Sequence, residues 1–187
     1  SRITYSQGFG VGNRKIELIG EGYFEVKRNE EVPFLVKTNS LLVKVLGTKF
    51  NFRDYPDDAE AIVSLSEGKV ALNNLLKKEK EAFLLPNERV VLNKKNGRMH
   101  VEYSTVSNAL QWTNGYLFFD EELLPDVVKE LERSYNVKIQ IASDTLNTFR
   151  FYGNFVHREQ NIQEVLEALS ATRKIHYIIE GHNITLY

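Results

Sequence analysis

Apolar residues along this chain follow two different periods, and the change between them falls near residue 105. From residue 15 to 103 the apolar stretches are short and many alternate. Val43, Val45, Phe50 and Phe52 are interleaved with Lys44, Thr48 and Asn51. A period of two puts alternate side chains on one face of a half-buried strand. Nine strands are expected, over 15–26, 34–38, 41–46, 49–55, 61–65, 69–72, 82–85, 89–92 and 99–103. The breaks between them carry turn chemistry. Pro56-Asp57-Asp58 and Pro86-Asn87 combine a fixed proline φ with side chains that bond their own backbone. Glu67-Gly68 suits a tight hairpin, and Asn96-Gly97 is a strong two-residue hairpin signal. No window of this part shows sustained helical periodicity. The expected fold of the first part is therefore all-β: a sandwich, a roll or a short solenoid. The pairing of its strands stays open.

Beyond residue 122 the period becomes 3.6. Leu124, Val127, Val128, Leu131 and Tyr135 fall on one helical face. Pro125 sits in the first turn, where its missing N–H does no harm. Asp120, Glu121 and Glu122 are expected at the positive end of the helix dipole. Asn136 is placed to close the helix in the left-handed region, and a strand over 137–141 follows. The pattern recurs 38 residues on, with Ile162, Val165, Leu166 and Leu169 in the places of Leu124, Val127, Val128 and Leu131. Asn161 and Glu164 have the spacing of a capping box. Stretches 116–119 and 149–155 supply a strand before each helix, and a last hairpin, 175–180 with 183–187, turns at Gly181-His182. This predicts a small α+β domain of doubled βαβ units, with two helices packed on one sheet. The expected domains are 1–107 and 108–187. Trp112, the large apolar residue nearest the seam, is expected to be mostly buried.

Charge narrows the function. Residues 1–105 carry 17 basic and 14 acidic side chains and residues 106–187 carry 7 and 11, together the chain's 24 and 25. A net charge of −1 argues against nucleic acid, which is held by clustered cations. No run approaches the roughly 20 apolar residues of a membrane span. The chain opens at Ser1 without an initiator Met or a signal-peptide pattern, so it is expected to be part of something longer. Cysteine is absent, which removes disulfides, thiolate metal sites and cysteine nucleophiles.

Chemistry-bearing groups are scattered. His100, His157, His176 and His182 form no metal-ligand spacing, although His100 and Glu102 share a strand face. Asp54, Asp57, Asp58 and Glu60 cluster around Pro56 without the spacing of a calcium loop, and a solvated turn is expected there. Gly8-Phe9-Gly10-Val11-Gly12 lacks the strand-before, helix-after context of a phosphate loop and reads as a flexible lead-in. The mixed charges Lys77-Lys78-Glu79-Lys80 suit a hairpin end. No catalytic residue, cofactor site or metal site is expected, and the chain is not expected to be an enzyme.

Several motifs stand in an ordered series. Gly20-Glu21-Gly22-Tyr23-Phe24-Glu25-Val26 is followed by Pro33-Phe34-Leu35-Val36-Lys37-Thr38, then Val45-Leu46-Gly47-Thr48-Lys49-Phe50-Asn51-Phe52. Val63-Ser64-Leu65-Ser66-Glu67-Gly68-Lys69-Val70 and Leu85-Pro86-Asn87-Glu88-Arg89 come next. Trp112, Gly115, Leu117 and Phe119 then precede the helix with Leu124, Val127, Val128, Leu131 and Tyr135. Over residues 14–187 this resembles the FecR family of anti-sigma factors, in the form with an additional C-terminal domain. Asn87 stands where that family usually has Gly after the proline, and residues 1–13 do not match clearly. The resemblance implies the periplasmic sensor region of a single-span inner-membrane signal transducer. Its partners would be the signalling domain of a TonB-dependent outer-membrane transporter and, through a cytoplasmic segment absent from this chain, an extracytoplasmic-function sigma factor. Contact with the membrane would be only through an absent transmembrane helix. The second domain resembles the secretin and TonB short domain. A β-rich glycan-binding module of the cell envelope is the alternative.

A small sheet leaves edge strands with unpaired backbone groups, and these can accept a partner's strand. Two such edges are expected, 183–187 and 150–154, with the alternative that 183–187 only completes the domain's own sheet. Ile184 and Leu186 should face the core. The partner-binding residues expected are Arg150, Tyr152, Asn183, Thr185 and Tyr187.

Overall fold

The computed structural model describes residues 1–103, 111–171 and 174–187. The chain splits into two compact units, Ser1–Leu110 and Gln111–Tyr187. The expected boundary, between residues 107 and 108, lies outside the described residues.

The described residues of the first unit form a sheet of ten strands. They are β1 (Arg2–Tyr5), β2 (Arg14–Glu25), β3 (Phe34–Lys37), β4 (Leu41–Val45), β5 (Lys49–Asp54), β6 (Glu60–Glu67), β7 (Val70–Asn74), β8 (Ala82–Leu84), β9 (Glu88–Asn93) and β10 (Met99–Tyr103). All nine expected strands form. The order is β10-β9-β6-β5-β2-β3-β4-β7-β8, with β1 paired to β2. β2 belongs to both halves of this sheet. Its first residues pair with β3 and its last, from Gly20 to Glu25, with β5. The sheet curls into a nearly closed, barrel-like roll. Asn74 Nδ2, at the end of β7, donates to Gly97 O in the β9–β10 turn at 2.9 Å. Phe50, Phe52, Leu18, Leu41, Leu65, Leu72, Leu84 and Leu92 fill the interior and are fully buried. Burial of side chains of this size contributes about 1.5–3 kcal/mol each before entropy is counted.

A short solenoid would stack parallel strands. Here β2–β3 is the one parallel pair of the sheet among the described residues, so the roll stands and the solenoid does not. Glu67-Gly68 closes no hairpin. β6 pairs with β5 and β9, while β7 pairs with β4 and β8, so this turn carries the chain from one half to the other. Gly68 has φ +93, and a Cβ there would meet Gly47 O at 2.6 Å. Residues 6–13 are no loose lead-in: they join β1 to β2, with Phe9 N–H donating to Ser6 O at 3.0 Å and Gly10 N–H to Asn13 O at 2.7 Å.

The described residues of the second unit form two helices and two small sheets. A 3₁₀ turn, Gln111–Asn114, leads into β11 (Tyr116–Leu123), α1 (Leu124–Tyr135), β12 (Lys138–Ile141), β13 (Arg150–Val156), α2 (Ile162–Ser170), β14 (Tyr177–Glu180) and β15 (Asn183–Leu186). Leu124, Val127, Val128 and Leu131 are the buried face of α1, and Val165, Leu166 and Leu169 that of α2. Asn136 closes α1 with φ 53, ψ 47. At α2 both bonds of the Asn161–Glu164 capping box are made.

The expected single sheet is instead two. β11 pairs antiparallel with β13, while β12, β15 and β14 form a separate three-stranded sheet in that order. The two strands flanking each helix therefore lie in different sheets, which departs from a βαβ unit. Side chains of both sheets and both helices meet in one core, with Phe119, Phe151, Leu131, Leu166, Ile184 and Leu186 among its members. Asp120, Glu121 and Glu122 lie on β11 and not at the helix terminus, where the first-turn acid is Asp126. The register of β11 shifts between Phe119 and Glu122, a bulge with Glu121 at φ 53. Trp112 is 37% exposed, so the expectation of burial fails: it sits in the 3₁₀ turn and not in the core.

Candidate partner-binding surface

The polar clusters of the first unit resolve into structural pairs. Asp54 and Asp58 are buried, contrary to the solvated turn expected around Pro56. Lys94 Nζ lies 2.6 Å from Asp54 Oδ1 and also donates to Tyr55 O, while Arg53 Nε donates to Asp58 Oδ2 at 2.9 Å. A cation from 40 residues along the chain makes burial of the Asp54 carboxylate tolerable. Glu102 is held by Arg89 at 2.6 Å, with His100 Nε2 at 3.6 Å. Among the described residues no group of three His, Asp or Glu side chains has the arrangement of a metal site.

The second unit offers edges. Arg150 and Tyr152 lie on β13, which among the described residues pairs with β11 alone. His157 N–H donates to Gly115 O and Leu124 N–H to Phe149 O, both at 2.8 Å. In an antiparallel ladder, hydrogen-bonded and non-bonded pairs alternate. The backbone groups of Phe151, Gly153 and Phe155 therefore face β11. Those of Arg150, Tyr152, Asn154 and Val156 point to the open side. Val156 N–H is already taken by Gln160 Oε1 at 2.8 Å, which leaves the stretch from Arg150 to Asn154.

The same alternation sends Arg150, Tyr152 and Asn154 to the outer face, and all three are exposed, Tyr152 by 58%. Tyr116 and Phe118 of β11 join them there; Phe118 stands opposite Asn154 and Tyr116 opposite Val156. Arg150 and Tyr152 also grip the bulge. Arg150 Nη1 donates to Glu121 O, and the Glu121 carboxylate accepts from the Tyr152 hydroxyl, which raises the Tyr152 pKa above its ordinary value. Both thus hold a strained backbone position as well as presenting a surface.

Asn183, Thr185 and Tyr187 belong to the other sheet. β15 is its central strand, paired to β12 through Asn183↔Lys138 and Thr185↔Gln140 and to β14 through Ile178↔Thr185. The strand at 183–187 is therefore not an edge but completes the unit's own sheet, as the alternative reading had it: both sides of its backbone are used within the chain. Ile184 and Leu186 face the core as the alternation predicts, with Tyr187 exposed. The five expected residues thus divide between two sheets. Sequence reasoning passed over Tyr116 and Phe118, although the alternation Tyr116-Leu117-Phe118-Phe119 already put them on the face opposite the core.

The family model for the FecR protein matches residues 1–71, and that for the FecR C-terminal region matches residues 116–186. The first of these takes in residues 1–13, beyond the reach of the motif series. Two crystal structures of a candidate anti-sigma factor from Parabacteroides distasonis, at 1.65 and 2.50 Å resolution, resemble this fold with TM-scores of 0.88 and 0.87. In both the identity is 32% over 99% of this chain, and 85% and 84% of those chains are covered. No curated protein matches the sequence. Two units of the same kind in the same order, with this identity along nearly the whole length, place the chain in the FecR family.

Proposed function

We propose that this chain is the periplasmic sensor region of a single-span anti-sigma factor. It would relay the state of a TonB-dependent outer-membrane transporter to an extracytoplasmic-function sigma factor, without catalysis, metal or cofactor. Each unit is proposed to be a domain, with the boundary near residues 107–108. Among the described residues no helix is long and apolar enough to cross a membrane.

The observation that carries the reading is the outer face of β11–β13. It joins exposed aromatics, Tyr116, Phe118 and Tyr152, to an open strand edge on β13. Aromatic anchors beside free backbone donors suit a protein partner that adds a strand. Binding of a transporter's signalling domain to the immobilised chain tests it. Tyr116→Ala combined with Phe118→Ala should weaken that binding at least tenfold, while the double variant keeps the circular dichroism of the parent. Unchanged affinity in the folded double variant would remove this face from the interface.

A further inference from the structure

The three-stranded sheet has two outer strands, and they are treated differently. β12 is sealed. Lys138 N–H and Ala142 N–H bond to the β15 side, so Ile139 N–H points outward, and Glu132 Oε1 accepts from it at 2.9 Å. β14 carries no such cover among the described hydrogen bonds. His176 and Tyr187 exchange both backbone bonds, at 2.9 and 3.0 Å, which fixes the phase. The backbone groups of Ile178 and Glu180 face β15. Those of Tyr177 and Ile179 face outward. The strand is Tyr177-Ile178-Ile179-Glu180, without proline, lysine or bulge, the usual devices that blunt an edge. Ile178 is 50% exposed and Ile179 39%.

We propose that β14 is a homodimer edge: a second copy of this chain adds its own β14 antiparallel to the first, joining two three-stranded sheets into one across a two-fold axis. The occupant follows from self-complementarity. With the axis through Ile178, Tyr177 of one copy faces Ile179 of the other, and these are the residues whose backbone groups point outward. On the outer face, Ile178 meets Ile178 of the second copy. His176 meets Glu180 of the second copy, and by symmetry Glu180 meets its His176. A cation-forming residue opposite a carboxylate favours a cross-strand pair, and an isologous contact makes it twice. The inference rests on the fold alone and stands or falls separately from the sensor reading.

Sedimentation of the whole chain over a range from about 10 µM to about 500 µM tests it, a range that brackets dissociation constants from micromolar upward. Reversible dimerisation is expected. Ile178→Lys points outward, leaves the core untouched and puts two lysines on the axis; it should raise the dissociation constant at least tenfold. Glu180→Lys should weaken the dimer, and His176→Glu combined with Glu180→Lys should restore it, which no interface elsewhere would do. Ile179→Pro, taken only if it keeps the parent circular dichroism, should abolish association. A chain that stays monomeric throughout overturns the proposal, as does a dimer indifferent to Ile178→Lys and to the charge exchange. Protection of the Ile179 amide by a different protein's strand, in a monomeric chain, would also overturn it.

Discussion

Replacing Gly153 by alanine isolates one packing decision in the second unit. Gly153 stands opposite Phe119, between Phe151 and Phe155 on the inward face of β13. The rings of Phe151 and Phe155 are parallel to within 4° with centroids 6.1 Å apart, and Phe119 closes on both at 6.2 and 6.3 Å. A Cβ at position 153 would lie 2.6 Å from Phe151 Cε1 and 2.9 Å from Phe155 Cε2. Both rings are buried, so neither can swing into solvent. Overpacking of this kind costs about 1–3 kcal/mol. Relief of the glycine's backbone entropy returns about 0.5–1 kcal/mol. The net is a loss of about 1–2 kcal/mol. For a unit of roughly 60–100 residues each kcal/mol moves the Tm by about 4–8 °C, so a fall of about 5–15 °C is expected. Differential scanning calorimetry of the whole chain reads it. If the two units are independent domains, only the transition of the second moves. Gly8→Ala, with nothing within 4 Å of the added Cβ, is the control and should leave both transitions in place. A Gly153→Ala chain as stable as the parent would refute the packing argument. Equal shifts of two transitions, or one merged transition, would refute the independence of the units.

Arg14 donates to three backbone carbonyls, Val32 O at 2.7 Å, Lys27 O at 3.0 Å and Asn29 O at 3.2 Å, so it pins the loop between β2 and β3. Arg14→Met should cost about 1–3 kcal/mol and speed amide exchange across residues 27–33; unchanged exchange would show that the loop holds itself. Asn161→Ala removes the cap of α2 and should cost about 1 kcal/mol by urea titration. The Tyr135 hydroxyl donates to Gln160 O at 3.1 Å, and burial, then the nearby Glu164, raises its pKa above the ordinary 10.0. The folded state thus holds the phenol proton longer than the unfolded chain does. That contribution to stability is complete below pH 10.0 and is lost as pH rises through the raised folded value. Tyr135→Phe should flatten the alkaline fall in stability, and an identical alkaline limb in both proteins would sink the assignment.

Local pattern was readable where one face of an element meets a core. Period two located nine strands, and the repeated helical stripe located both helices and their caps. Pairing was not readable, because alternation says which face a side chain takes and not which strand lies beside it. Glu67-Gly68 therefore looked like a hairpin turn and proved to be a crossing between halves of the roll. β1 was passed over because all four of its residues are exposed and its period has no buried face to report. The Asp54 carboxylate looked like part of a solvated turn because the cation that permits its burial, Lys94, comes from the β9–β10 turn. At the candidate site the same limit operates. Arg150 and Tyr152 were legible as outward-facing, but the bulge they grip was not, since a positive φ at Glu121 carries no signal in residue type.

That division of edges also gives the two proposed contacts different chemistries. On β13 the open backbone stops at Val156, whose N–H is held by Gln160, and Arg150 and Tyr152 are already engaged with Glu121. A partner there finds a short run of free donors beside a broad aromatic face, so its affinity should come largely from Tyr116 and Phe118. On β14 the proportions reverse. Among the described residues no hydrogen bond covers the outward groups of Tyr177 and Ile179, and the outer face there carries Ile178 between His176 and Glu180, so affinity should come from the backbone and register from His176 and Glu180. Truncating aromatics should therefore weaken the first contact and spare the second, while a proline at Ile179 should do the opposite. The bulge on β11 and the Glu132 carboxylate at Ile139 of β12 interrupt the other two edges of the unit, which makes them poorer acceptors of an added strand.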